Sequence, residues 1–146
     1  MNDEVETIAL GFQLGASALL LVASVLIHGL GLMGISRALG LRDERLEETE
    51  FGTGALGIMT MVALALFALH AIEIALFAGF YLLIGAFEKV EEALFFSTSV
   101  YATLGYTDEF FPPNWRLVGA IQGVIGFLML GWSTAFLVQK MTKLRR

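Results

Sequence analysis

Cysteine is absent from this 146-residue chain, so disulfides and thiolate metal sites are excluded, and cysteine usage gives no reading of the redox compartment. Charge is also scarce. Only 16% of residues are Asp, Glu, Lys or Arg, against 57% hydrophobic, and the mean hydropathy is +0.76. That composition is too apolar for an ordinary soluble domain and points to a bilayer as solvent. Nine Lys and Arg against fourteen Asp and Glu leave a formal charge of -5, which gives no support to a nucleic-acid partner. The amino-terminal Met-Asn-Asp-Glu-Val-Glu is acidic where a secretory signal needs a basic start, and the apolar run behind it is too long for a cleaved signal. That segment is expected to stay.

A helix needs about 20 apolar residues to cross a hydrocarbon core of roughly 30 Å. Three stretches qualify, at about Ile8 to Ile35, Ala55 to Ile84 and Trp115 to Val138. The second would be roughly 45 Å long as a helix, so it is expected to tilt or emerge from the membrane. Ser36 to Gly54 reads as a short amphipathic or flexible connection. Counting Lys and Arg by side puts Arg37, Arg42, Arg45, Lys140, Lys143, Arg145 and Arg146 inside and only Lys89 and Arg116 outside. The amino terminus is then expected outside and the carboxyl terminus in the cytoplasm.

Phe87 to Asn114 holds no apolar run long enough to cross and is too apolar for a plain loop. Glu91 and Glu92 open an apolar helical turn running to about Thr103, acids being favoured at a helix amino end. A re-entrant half-helix is expected, and irregular backbone at membrane depth is tolerated only where protein buries it or water lines it. An assembled cavity is implied, and a chain of this length does not enclose a pathway alone.

Thr103-Leu104-Gly105-Tyr106-Thr107-Asp108 follows that half-helix and resembles the Thr-Val-Gly-Tyr-Gly-Asp filter of tetrameric potassium channels. The likeness extends through Ala93-Leu94-Phe95-Phe96-Ser97, Trp115-Arg116-Leu117 and Gly131-Trp132-Ser133-Thr134-Ala135. Within that family the chain is similar to small bacterial members with one extra amino-terminal helix. The resemblance implies an all-α membrane protein, with three transmembrane helices, a re-entrant pore helix and a filter loop per subunit, around a homotetrameric pore. Residues 1–54 would form the extra helix and its cytoplasmic connection, and residues 55–146 the pore module. It further implies a passive monovalent cation channel of the bacterial inner membrane, with no enzyme chemistry. Its partners are other copies of itself, the bilayer and the permeant cations. No cofactor or metal is expected beyond potassium or sodium in the filter.

Carbonyls of Thr103, Leu104, Gly105 and Tyr106 would replace the ion's hydration shell, with the Thr103 hydroxyl as innermost ring. Thr107 departs from the family glycine, and a β-branched residue at positive φ is strained. The outermost ion site is expected to be altered. This leaves open a non-selective cation channel, or a non-conducting homologue that acts as an assembly or regulatory subunit. Asp108 and Glu109 would ring the mouth and concentrate cations, or form an ordinary acidic loop. Phe95, Phe96, Tyr101, Phe110, Phe111 and Trp115 would brace the filter, with an interfacial belt as the alternative for Phe110, Phe111 and Trp115.

In the third stretch Gly123 or Gly126 is either a hinge or a packing position, and Gln122, Ser133 and Thr134 are candidates to face the cavity. Ser and Thr can equally bond their own helix backbone. Glu73 is costly at membrane depth, and His70 lies on its face one turn earlier. A buried hydrogen-bonded pair, a pH sensor or a metal site are the readings of that pair. His28 would complete a metal or haem site but is placed nearer the cytoplasmic side. The first helix, with Gly11, Gly15 and Ala16 for close packing and Gln13 as a polar contact, is expected against the lipid side of the second. It lacks an arginine ladder, which argues against a voltage sensor of the usual kind.

Overall fold

The computed structural model describes residues 2–43, 53–105, 111 and 115–144, and side chains within 10–40, 54–105, 111 and 115–142. The described residues form four helices: α1 (Asn2–Asp43), α2 (Thr53–Leu83), α3 (Val90–Tyr101) and α4 (Arg116–Leu144). Spans Leu10–Gly40, Gly54–Leu83 and Arg116–Thr142 are long and apolar enough to cross a membrane. The protein is integral to a membrane. Its outer surface carries Leu19, Leu30, Leu64, Phe67 and Phe127, a display water would penalise and hydrocarbon or a neighbouring subunit would not.

α1 and α4 overrun the stretches read from hydropathy. The segment Ser36–Asp43, expected as part of the connection, continues α1, since nothing in Ser-Arg-Ala-Leu-Gly-Leu-Arg-Asp breaks a helix other than one glycine. Residues 44–52 of that connection lie outside the described residues.

α1 packs into the groove between α2 and α4, not only against α2. Gln13 meets Leu117, His28 meets Ser133, and Ser36 meets Lys140, three contacts at an almost constant offset of 104 or 105 residues. Such an offset means that α1 and α4 run parallel and side by side. Gln13 has a capping role: its Oε1 accepts from the Leu117 backbone N–H at 3.0 Å, satisfying one of the donors that the first turn of α4 leaves free.

Two apolar clusters hold the bundle. One, toward the start of α4, gathers Phe77, Tyr81, Phe96, Val100, Tyr101, Phe111, Val118 and Ile125 around α3. The other joins Leu32 of α1 to Ile58, Val62, Leu66 and Leu69 of α2, with Phe136 and Leu137 of α4 against them.

Candidate functional site

α3 ends two residues earlier than the apolar pattern suggests, and the hydrogen bonds explain the stop. The Thr103 N–H donates to Val100 O at 3.0 Å, and the Leu104 N–H to Ser99 O at 2.9 Å. This pair of bonds makes a Schellman cap, whose left-handed residue is usually glycine. α2 closes the same way with Gly85 at φ 70, its N–H bonded to Leu82 O and that of Ala86 to Tyr81 O. In α3 that left-handed position falls to Thr103, at φ 60, and Gly105 follows at φ 85. A β-branched residue there is strained by about 1–3 kcal/mol. The expected strain at Thr107 falls outside the described residues, and Thr103 is the described β-branched residue that takes a left-handed φ. Thr103, Leu104 and Gly105 are exposed on the chain, and Thr103 and Gly105 border an open apolar groove shared with Val100, Gly119, Ala120, Gly123, Val124 and Phe127. Tyr106, Thr107, Asp108 and Glu109 lie outside the described residues.

Behind the segment, α3 is held from both sides by buried polar contacts. Ser97 Oγ donates to Ile74 O of α2 at 2.8 Å. Gln122 of α4 donates from Nε2 to Ser97 Oγ at 2.8 Å and to Ser97 O at 3.2 Å, while its Oε1 accepts from the Tyr81 hydroxyl at 2.5 Å. Gln122 and Ser97 are fully buried, so every one of these groups replaces its lost water with a partner. The expectation that Gln122 faces a water-filled cavity is corrected: its amide turns inward because Tyr81 and Ser97 supply its bonds.

Gly126 and Gly123 let α4 lie against the end of α3. A Cβ on Gly126 would overlap the Tyr101 carbonyl oxygen and stand 2.9 Å from Tyr101 Cα; one on Gly123 would meet Val100 O at 3.6 Å. Packing is the use the fold makes of Gly126.

A third group of contacts joins all four helices. His28 Nδ1 lies 2.8 Å from Glu73 Oε1, and the Tyr101 hydroxyl donates to Glu73 Oε2. His70 Nδ1 is 2.8 Å from the same hydroxyl and 3.3 Å from Glu73 Oε2. Ser133 Oγ is 3.3 Å from His28 Nε2, and the Trp132 ring packs over the His28 ring with centroids 5.2 Å apart. His28, Glu73 and Ser133 are buried. Ser133 therefore does not face a cavity. Thr134 is exposed and bonds its own helix at Leu130 O, the backbone alternative for that hydroxyl. His28, set aside on its depth, is a full member of the cluster. Because α1 continues past Ile35, His28 falls within about one turn of the midpoint of the Leu10–Gly40 span.

The aromatic brace is wider than the sequence suggested. Phe96 and Phe111 stack with centroids 4.5 Å apart, and Tyr81 and Phe87 close around them. Tyr101 is buried beside His70, and Trp115 sits edge-on to Phe80 at 5.5 Å. Phe95 is 74% exposed and takes no part, since it lies on the face of α3 opposite the core. Phe110 lies outside the described residues. Tyr81 and Phe87 were legible only as apolar residues near the end of a span.

The family model of the ion channels matches residues 69–143, just over half of the chain. The chain belongs to the ion-channel family. Membership implies ion permeation and assembly of several subunits. No curated protein and no solved structure matches the channel. The matched region begins beside His70 and takes in Glu73, α3, residues 103–108 and nearly all of α4. α1 falls outside it, yet in this channel it contributes His28 to the buried cluster and Gln13 to the start of α4.

Proposed function

We propose that four copies of this chain assemble into a passive channel for monovalent cations, conducting potassium through Thr103, Leu104, Gly105, Tyr106 and Thr107. The observation that carries this reading is the position of that sequence: it begins where a short helix ends, between two long apolar helices, inside the region matched by the ion-channel family. In this reading α3 is the re-entrant pore helix, its carboxyl end turned toward the ion path, where partial negative charge favours a cation. Residues 55–146 are the pore module and residues 1–54 an accessory helix with its cytoplasmic connection. The amino terminus lies outside and the carboxyl terminus inside, following the Lys and Arg count.

Exposure of Leu104, Val124 and Phe127 on the single chain supports burial against other copies around the axis. Backbone carbonyls of the filter replace the hydration shell, while Asp108 and Glu109 ring the outer mouth. Gly105 meets the need for left-handed backbone within the filter, and its φ of 85 fits that role. Thr107 stands where the family has its second glycine, so the outermost ion site differs from that of the family pattern.

Ion flux in liposomes holding the purified protein tests the proposal, with potassium and sodium gradients compared and a Thr107→Gly variant alongside. Potassium-selective flux from the wild type is the expected result. Equal potassium and sodium flux would refute selectivity and leave a general cation channel. Flux only from the glycine variant would identify Thr107 as a closure of the filter, and silence from both would refute conduction.

A further inference from the structure

We propose that His28, His70 and Glu73, with the Tyr101 hydroxyl as fourth donor, form an intramembrane site for one transition-metal ion of the zinc type per chain. The geometry is the first ground. One ligand atom from each of His28, His70 and Glu73 lies within 4.8 Å of the others, and the Tyr101 hydroxyl is 2.8 Å from His70 Nδ1. A tetrahedral ion with ligands at about 2.0–2.1 Å holds those ligands about 3.3 Å apart. His28 Nδ1 and His70 Nδ1 stand 2.8 and 3.3 Å from the two different oxygens of Glu73, and one donor atom per residue falls within 4.8 Å of the others, so side-chain rotations that also turn the Tyr101 hydroxyl from Glu73 Oε2 bring four donors around one point.

The chemistry of the donors selects the class of ion. Two imidazoles, one carboxylate and a phenol suit zinc and its neighbours, whereas sodium, potassium and calcium prefer sets made of oxygen alone. The surroundings are arranged as those of a metal-binding histidine usually are. With Nδ1 of His28 turned to the shared point, its Nε2–H faces Ser133 Oγ at 3.3 Å, an outer partner that fixes the ring, and Trp132 covers the ring face. His70 and Glu73 are one helical turn apart on one face of α2. Charge supplies the last ground. Glu73 is fully buried in an apolar span, and among the described residues its ion-pair partners are these two histidines, with no lysine or arginine. A divalent ion compensates a carboxylate that is otherwise expensive at membrane depth.

Such an ion would tie α1, α2 and the last residue of α3 together, two positions before Thr103. The site does not depend on which ion the channel conducts, or on whether it conducts.

The test uses the full chain in detergent, with any affinity tag removed, stripped of metal and titrated with Co2+ and then Zn2+. Expected are visible d–d bands of tetrahedral Co2+ saturating at one ion per chain, their replacement by Zn2+, and a raised unfolding temperature of the loaded protein. His28→Gln and Glu73→Gln should each abolish the bands, and Ser133→Ala should weaken binding about tenfold as loss of an outer partner does. Variants are compared only where elution volume and helical content match the wild type. Wild-type protein that stays folded and gives no tetrahedral Co2+ spectrum overturns the proposal without any variant. A spectrum unchanged in His28→Gln or Glu73→Gln overturns it as well, because the ion then sits elsewhere. Failure of the flux experiment would leave the metal result standing.

Discussion

Replacing Gly126 by alanine puts a methyl group against backbone rather than against a movable side chain. Its Cβ would overlap the Tyr101 carbonyl oxygen and approach Tyr101 C and Cα to 2.9 Å, where ordinary contact begins at 3.4 Å. The end of α3 must retreat by about 0.5 Å, and further at the carbonyl, carrying Thr103 with it. Overpacking of this kind costs about 1–3 kcal/mol. Alanine returns about 0.5–1 kcal/mol through its helix propensity, so a net loss of up to about 2.5 kcal/mol is expected. Two substitutions calibrate the measurement. Gly34 has nothing within 4 Å, so Gly34→Ala should gain the propensity term alone; a Cβ on Gly31 would press the buried Leu69 side chain down to Cγ, so Gly31→Ala should be destabilising through overpacking of the second cluster. Thermal unfolding in detergent reads the three, with about 2–4 °C expected per kcal/mol at this chain length. Flux through Gly126→Ala should also lose ion discrimination. Equal stability of Gly126→Ala and Gly34→Ala would refute the close approach of α4 to α3.

Further outcomes rest on other contacts. Gly85→Ala should cost about 1–2 kcal/mol with no clash, because φ 70 is left-handed and a Cβ there meets nothing within 4 Å; denaturant unfolding in micelles reads it. Gln122→Leu leaves the Tyr81 hydroxyl and Ser97 without their α4 partner, and a loss of about 1–3 kcal/mol is expected in the same assay. Gln13→Ala removes a side-chain cap from α4 and should cost about 1 kcal/mol, with faster hydrogen exchange at Leu117. Lys89→Met should change stability by less than about 0.5 kcal/mol, since its 2.8 Å pair with Glu92 is largely exposed.

Long-range placement is where sequence reasoning met its limits. Three apolar spans and a short helix opened by Glu91 and Glu92 were legible, because each depends on local composition. Gln122 reads as a cavity residue in sequence yet turns inward, since a polar residue in an apolar helix gives no sign of which neighbour will bond it. His28 was set aside because its depth was counted along a span whose end had been placed too early. Phe95 and Phe96 read alike in sequence, yet one is exposed and the other stacked on Phe111, a choice made by the rotation of α3 against α2 and α4.

The sequence by itself determined that the chain lives in a membrane, that three of its stretches are long and apolar enough to cross it, and that a short helix stands between the last two, because hydropathy and helix signals are properties of neighbouring residues. Only the tertiary structure decided that α1 lies between α2 and α4 and that Gly126 is a contact surface for Tyr101. It also brought residues from four helices around Glu73. His28 and Glu73 are 45 residues apart, and Ser133 and His28 are 105 apart. Side chains so distant meet only through the packing of whole helices, which no local pattern encodes.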